Sequence, residues 1–328
     1  MRCYIKKIEV NPKYAGVHGV KWNRKIRRKC RRVFGLVSYY GGKARLIRKI
    51  QKYILQLAEA NHVTMFIECF GGGGRGILNL DQIPYRFLHR MYNEWDESMA
   101  CLFAMCQYHD TAESLYRHLL TIPDKKETFD TVKQYLKYDK DGLLLDRSLT
   151  VFDKAVIGYL SCALSFNSNR NDYRNLPKKN PEHALRLYYR RMKRILEAPQ
   201  HLADASIIQG DYKKILEVYG ADPTVLKFLD PPYHPATRSD DAQIVYKNEM
   251  TPAQHREMVA MLCKSRCWIL CGYDPYETES KCEDYKPLEE SGAVKVLIGR
   301  VMVSSANYSH AKNGEEMLYK NEYLWIKF

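Results

Sequence analysis

At 328 residues the chain is about twice the ~150 usual for one domain; 45% hydrophobic and 27% charged residues are ordinary globular values, which excludes a disordered tail. No apolar run reaches the ~18 residues of a membrane span, and the start, MRCYIKKIEV, lacks the apolar stretch of a signal peptide, so a soluble cytoplasmic protein is expected. The net charge of +14 sits at one end: residues 1–50 hold 16 Lys/Arg against Glu9 alone, and the remainder nets −1.

Residues 1–35 therefore read as a basic arm, densest over KWNRKIRRKCRR at 21–32. Arg24, Lys25, Arg27 and Arg28 are candidate phosphate contacts, because this excess of charge is more than solubility requires. An anionic membrane surface would also suit the charge, but no long apolar face supports insertion. Next, Leu46, Ile47, Ile50, Ile54 and Leu57 fall near helical spacing and predict an amphipathic helix over 44–60. Residues 63–68, VTMFIE, predict a strand that ends at a glycine cluster. Two later apolar runs, 225–229 and 268–271, end at Asp230-Pro231-Pro232-Tyr233 and at Gly272, and 293–303 with 321–327 predict a late antiparallel pair.

The alternation predicts a doubly wound α/β fold with a mixed, mostly parallel sheet, whose ligands bind at the C-terminal ends of the strands. Residues 114–200 differ, with helical stretches around the polar run Asn167 to Asn175 and nine Lys/Arg against three acids over 168–197. They read as a helical insert between a first part of the α/β domain, 36–113, and a second, 201–328. Ten scattered cysteines without a Cys-x-x-Cys argue against a zinc knuckle and for reduced, buried thiols, Cys263, Cys267 and Cys271 included.

Three motifs carry chemistry. Phe70-Gly71-Gly72-Gly73-Gly74-Arg75-Gly76 is a strand-to-helix turn where the backbone can approach a ligand; without a following Lys-Ser/Thr it is no nucleotide-hydrolysing phosphate loop. About twenty residues on, Glu94 stands where a dinucleotide-type fold keeps an acid for ribose hydroxyls. In Asp230-Pro231-Pro232-Tyr233 the prolines fix the backbone and remove two donors, so the Asp230 carboxylate and the Pro231 carbonyl can accept from one NH₂ group. Tyr233 offers a flat surface for a base taken out of its stack. No metal site is read from the chain.

With these motifs in this order, residues 38 to 328 resemble the Dam-type (D12 class) DNA adenine-N6 methyltransferases, which use S-adenosylmethionine. Tyr40-Gly41-Gly42-Lys43 is similar to the family's aromatic-x-GGK element. Glu68-Cys69-Phe70-Gly71-Gly72-Gly73-Gly74 is similar to its cofactor loop, with Cys69 in place of the usual Pro. Glu94 stands for its ribose-binding acid, Gln209-Gly210-Asp211-Tyr212 for the element whose Asp reads the cofactor's adenine, and 230–233 for its catalytic motif.

The resemblance implies a Rossmann-like methyltransferase fold in which 114–200 is the target-recognition domain. It also implies a cofactor site of Tyr40, Lys43, Phe70, Gly72, Gly74, Glu94, Asp211 and Asp230, with Tyr40 and Lys43 closing over it and Gly74 where a Cβ would strike the cofactor's methionine part. Asp230, Pro231, Pro232 and Tyr233 are then catalytic, and Asn167 and Arg170 contact DNA. The implied partner is double-stranded DNA, with a cognate restriction enzyme as a further candidate, and the implied state is monomeric. Cytosine-N4 or RNA adenine methylation, or a catalytically dead nucleic-acid-binding fold, are the alternatives.

Overall fold

A computed structural model of the chain describes residues 33–175, 180–238, 249–302 and 319–328. The basic arm's candidates Arg24, Lys25, Arg27 and Arg28 lie outside the described residues.

The described strands are β1 (Met65–Glu68), β2 (His89–Glu94), β3 (Ala205–Gln209), β4 (Val225–Leu229), β5 (Trp268–Gly272), β6 (Val294–Met302) and β7 (Tyr319–Lys327). They form one seven-stranded sheet in the order β3-β2-β1-β4-β5-β7-β6. The first five are parallel, and β7 runs antiparallel to both β5 and β6. This is the mixed, mostly parallel, Rossmann-like sheet expected. The order reverses between β1 and β4, so the crevice beyond their C-terminal ends is the topological switch point where open sheets bind ligands.

Alternation along the central strands explains the layers. Phe66 and Phe228 enter one apolar core while their neighbours Ile67 and Leu229 enter the other. The second core is closed by α9 (Tyr212–Tyr219), α10 (Pro252–Lys264) and α11 (Lys286–Glu290). On β4 the buried Lys227 breaks the apolar run. Its ammonium donates to the carbonyls of Tyr219 at 3.0 Å, Gly220 at 3.3 Å and Asp222 at 2.9 Å, supplying the end of α9 with donors.

The first core is covered by α1 (Ile47–Ala60) and by the helices between β2 and β3. These are α2 (Glu97–Met105), α3 (His109–Leu120), α4 (Lys126–Tyr135), α5 (Val151–Ala163), α6 (Pro181–Met192), α7 (Arg194–Glu197) and α8 (Pro199–Leu202). Among the described residues between β2 and β3, nothing enters the sheet; the only pairings are isolated bridges, Tyr138 with Leu144 and Ser165 with Tyr173. The insert's apolar side chains, Tyr188 and Met192 among them, join the same cluster as Ile47 and Phe66. Gly158 of α5 lies so close to α2 that a Cβ there would stand 2.4 Å from the Ser98 carbonyl oxygen. The helical segment is thus fused to the sheet's core over one face. No helix among the described residues is long and apolar enough to cross a membrane.

Candidate active site

The register of β1 on β4 pairs Glu68 with Phe228, which brings the glycine loop and Asp230 out of the sheet side by side. The Cys69 N–H donates to the Phe228 carbonyl at 2.8 Å. A proline at 69 would have no donor for this bond, so the departure from the family's usual residue adds one rung between the two motifs.

Three consecutive residues of β2 hold the loop. The Tyr92 hydroxyl donates to the Gly72 carbonyl at 2.9 Å, the Asn93 carbonyl accepts from the Gly71 N–H at 2.8 Å, and Glu94 Oε2 accepts from the Gly72 N–H. The Asn93 amide donates to the Cys69 carbonyl at 2.9 Å and the Gly210 carbonyl at 3.1 Å, tying three strand ends together. At the other end of the loop, the buried Glu68 carboxylate accepts from the N–H groups of Gly76 at 3.0 Å and Ile77 at 2.8 Å. Burial pushes its pKa up to about 8 despite these two bonds.

Gly72 and Gly74 adopt φ of +45° and +62°, a region side chains rarely enter. The expectation for Gly74 needs correcting: its missing Cβ would meet the Phe103 ring at 2.5 Å, so the core side requires glycine there. At Gly72 the Cβ would stand 3.0 Å from the Tyr39 ring. Tyr39, which the sequence motifs did not single out, packs along the loop. Arg75, inside the glycine motif, has a role the motif does not announce. Its guanidinium donates to the carbonyls of Phe34 at 2.8 Å and Val37 at 3.0 Å, fastening the segment that leads into Tyr40-Gly41-Gly42-Lys43.

The loop opens on a cleft of about 480 Å³ whose lining includes Tyr40, Lys43, Phe70, Gly72, Gly74, Glu94, Asp211, Asp230 and Pro232. The structure thus gathers all eight sequence-predicted cofactor residues. Phe70 stacks on Tyr212 with ring centroids 4.7 Å apart, and Asp211 caps α9 through the Lys213 N–H at 3.0 Å. Glu94 also accepts from the Asp96 N–H at 2.9 Å, and burial, reinforced by the charge of Asp96, lifts its pKa to about 7. A nucleoside-sized volume, a side-chain-free loop, a flat aromatic wall and carboxylates at separate points fit S-adenosylmethionine.

Lys43 does not arch over the cleft. It is 4% exposed, with Nζ 2.5 Å from Asp230 Oδ1 and 3.5 Å from Glu322 Oε1, and it donates to the Tyr233 hydroxyl. That hydroxyl in turn donates to Glu322. Burial disfavours the ammonium, but Asp230 and Glu322 outweigh it and raise the Lys43 pKa well above its usual value. Burial likewise raises Asp230 and Glu322, with Lys43 working against the rise in both. Among the described residues Asp230 Oδ2 accepts no hydrogen bond, and Asp230 lines the cleft. The Tyr233 ring packs edge-on against Tyr273, centroids 4.5 Å apart.

Of the two insert residues expected at DNA, Asn167 is exposed, in a left-handed turn with φ of +49°, next to the 54% exposed Phe166. Arg170 is the correction. It is 4% exposed; its guanidinium pairs with Asp96 and bonds the hydroxyls of Ser161 at 2.9 Å, Ser98 at 3.0 Å and Tyr138 at 3.1 Å. A charge satisfied inside the protein has nothing left for a phosphate.

His234 and His255 are buried and structural. His234 faces Asp284 at 3.0 Å and accepts from the Ala236 N–H, while His255 meets the Tyr285 hydroxyl at 2.9 Å. His234, Cys282 and Asp284 could in principle surround a metal ion. Because His234 Nδ1 accepts a backbone N–H, its proton sits on Nε2, the atom that faces Asp284, and that tautomer offers a metal no lone pair. The described cysteines are all free: Cys263 and Cys282 are partly exposed, and the others, Cys267 and Cys271 included, are buried.

Comparison with known families matches residues 39–267 to the D12 class N6 adenine-specific DNA methyltransferases. No curated protein matches the chain significantly.

Proposed function

The chain belongs to the D12 class of N6 adenine-specific DNA methyltransferases, and from that premise we propose how its residues divide the work on double-stranded DNA. The observation that carries the reading is the adjacency of Asp230 to the glycine loop on one cleft at the sheet's switch point. The glycine loop, Phe70, Glu94 and Asp211 hold S-adenosylmethionine, with Glu94 accepting from the ribose hydroxyls. The bound cofactor supplies a methyl group already activated by its sulfonium.

The protein's share is at the adenine. An exocyclic N6 is a poor nucleophile because its lone pair is delocalised into the ring. Acceptance of its two N–H bonds by Asp230 and the Pro231 carbonyl favours a pyramidal nitrogen and stabilises the charge that develops there. Asp230 then takes the proton that N6 must lose. Reaching this site requires the base to leave the duplex, and the Tyr233 ring, held by its hydroxyl, offsets part of the few kcal/mol of unstacking.

Residues 114–200, which carry the exposed Phe166 and Asn167, read the target, and 36–113 with 201–328 perform the transfer. A monomer is the working unit in this reading. The free thiols support action in the cytoplasm, and a restriction enzyme of matching specificity is the partner such a mark would protect against.

Asp230→Ala tests the assignment. Turnover should be lost while DNA binding survives, because the contact matters most as charge develops. Near-normal methyl transfer by that variant, or N4-methylcytosine as its wild-type product, would remove adenine chemistry from this site.

A further inference from the structure

Glu322 lies on β7, beyond the residues matched to the family, yet its carboxylate is 2% exposed and enters the cluster at Asp230. The cluster holds one ammonium, Lys43, between two carboxylates, with the Tyr233 hydroxyl bridging Lys43 to Glu322. A second buried carboxylate beside the first costs desolvation and repulsion, so its presence calls for a reason.

The reason lies in what Asp230 must do. Lys43 occupies Asp230 Oδ1 at 2.5 Å, and Glu322 Oε1 stands 3.5 Å from the same ammonium. An amino group arriving at Oδ2 shares the carboxylate with Lys43 and draws its negative charge away from Oδ1, which weakens the hold on the ammonium. With Asp230 as its only anionic partner, a buried ammonium could withdraw only by leaving two charges uncompensated. With Glu322 in place, a shift of the order of 1 Å exchanges one carboxylate for another, and the Tyr233 hydroxyl keeps a bond to Nζ along that short path.

We propose that Glu322 is a positioning residue for methyl transfer: it is the alternative seat for the Lys43 ammonium, which moves from Asp230 toward Glu322 when the target adenine's amino group arrives. Glu322 touches neither substrate nor cofactor, and it acts through Lys43 and Tyr233. The inference rests on the role proposed above for Asp230.

The test uses the full-length enzyme and the variant Glu322→Gln, which keeps the side chain's shape and an acceptor for Tyr233 but removes the charge. Two readouts are needed. In single-turnover methylation at saturating DNA and cofactor, Glu322→Gln should be slower by roughly tenfold or more, with thermal stability and cofactor affinity close to wild type. In equilibrium binding, wild type should prefer DNA bearing the target adenine over DNA bearing unsubstituted purine there, and Glu322→Gln should reduce that preference, since the Asp230 charge then stays committed to Lys43.

Tyr233→Phe, which removes the bridge, should be non-additive with Glu322→Gln in a double-mutant cycle. A transfer rate within twofold of wild type, an unchanged preference for adenine over purine, or strictly additive effects would each overturn the proposal. Asp230→Ala separates the two levels. If it stays active, the reading of the site itself has failed; if it is dead while Glu322→Gln is normal, only the role of Glu322 has.

Discussion

The guanidinium of Arg170 and the carboxylate of Asp96 form a buried ion pair, 4% and 2% exposed, which fastens the insert's polar loop to the start of α2. Asp96 also caps α2 through the Ser98 and Met99 N–H groups, and its own N–H is held by Glu94. Burial works against the Asp96 charge, but Arg170 outweighs it and keeps the carboxyl below its usual range. The loop itself has three left-handed residues, Asn167, Ser168 and Arg170, a conformation that persists only where surrounding contacts over-determine it.

Removing one partner of such a pair leaves an uncompensated buried charge. Arg170→Met should therefore destabilise the fold by about 3–5 kcal/mol in denaturant titration, while the salt dependence of DNA binding stays the same. Unchanged stability together with a salt slope smaller by about one would instead make Arg170 a phosphate contact.

The raised pKa of Glu94, about 7, fixes the sign of a pH effect. In the role proposed for it, its ionised form accepts from the two ribose hydroxyls, so protonation below about pH 7 removes the acceptor. Affinity for S-adenosylmethionine should rise with pH and gain roughly tenfold between about pH 6 and about pH 8, levelling off above that. Glu94→Ala should bind at least roughly tenfold more weakly and lose the pH dependence. Calorimetry across that range in both proteins checks it; wild-type affinity in the variant would take Glu94 out of the site.

The basic arm predicts a change in affinity without a change in target. Residues 21–32 carry eight Lys/Arg and no acid, which suits phosphates and reads no base edges. Deleting residues 1–32 should flatten the slope of log K against log salt by several units, with the methylated sequence unaltered. The deletion stops short of Phe34, whose N–H and carbonyl are bound by Asn79 at 2.7 Å and 3.0 Å. A salt slope equal to that of the full chain would show that the arm does not touch DNA.

Local pattern determined a good deal of this protein. The run 225–229 is β4 to the residue, because a strand buried on both faces is apolar at all but one of its positions, Lys227, and the two prolines after Asp230 cannot extend it. The late pair appeared as β6 and β7, and the glycine loop and Asp230 stood out because a close approach and a pair of acceptors need those residue types locally.

Only the tertiary structure decided where the charges go. Arg170 reads as basic and polar from its neighbours in sequence, and nothing within several residues announces that Asp96, 74 positions earlier, will neutralise it. Glu322 looks like an ordinary strand acid until β7 inserts between β5 and β6 and carries it to Lys43, far away in the chain. A residue's type sets which interactions it can make, but whether a charge meets water, DNA or a buried partner depends on long-range packing, which periodicity and spacing do not encode.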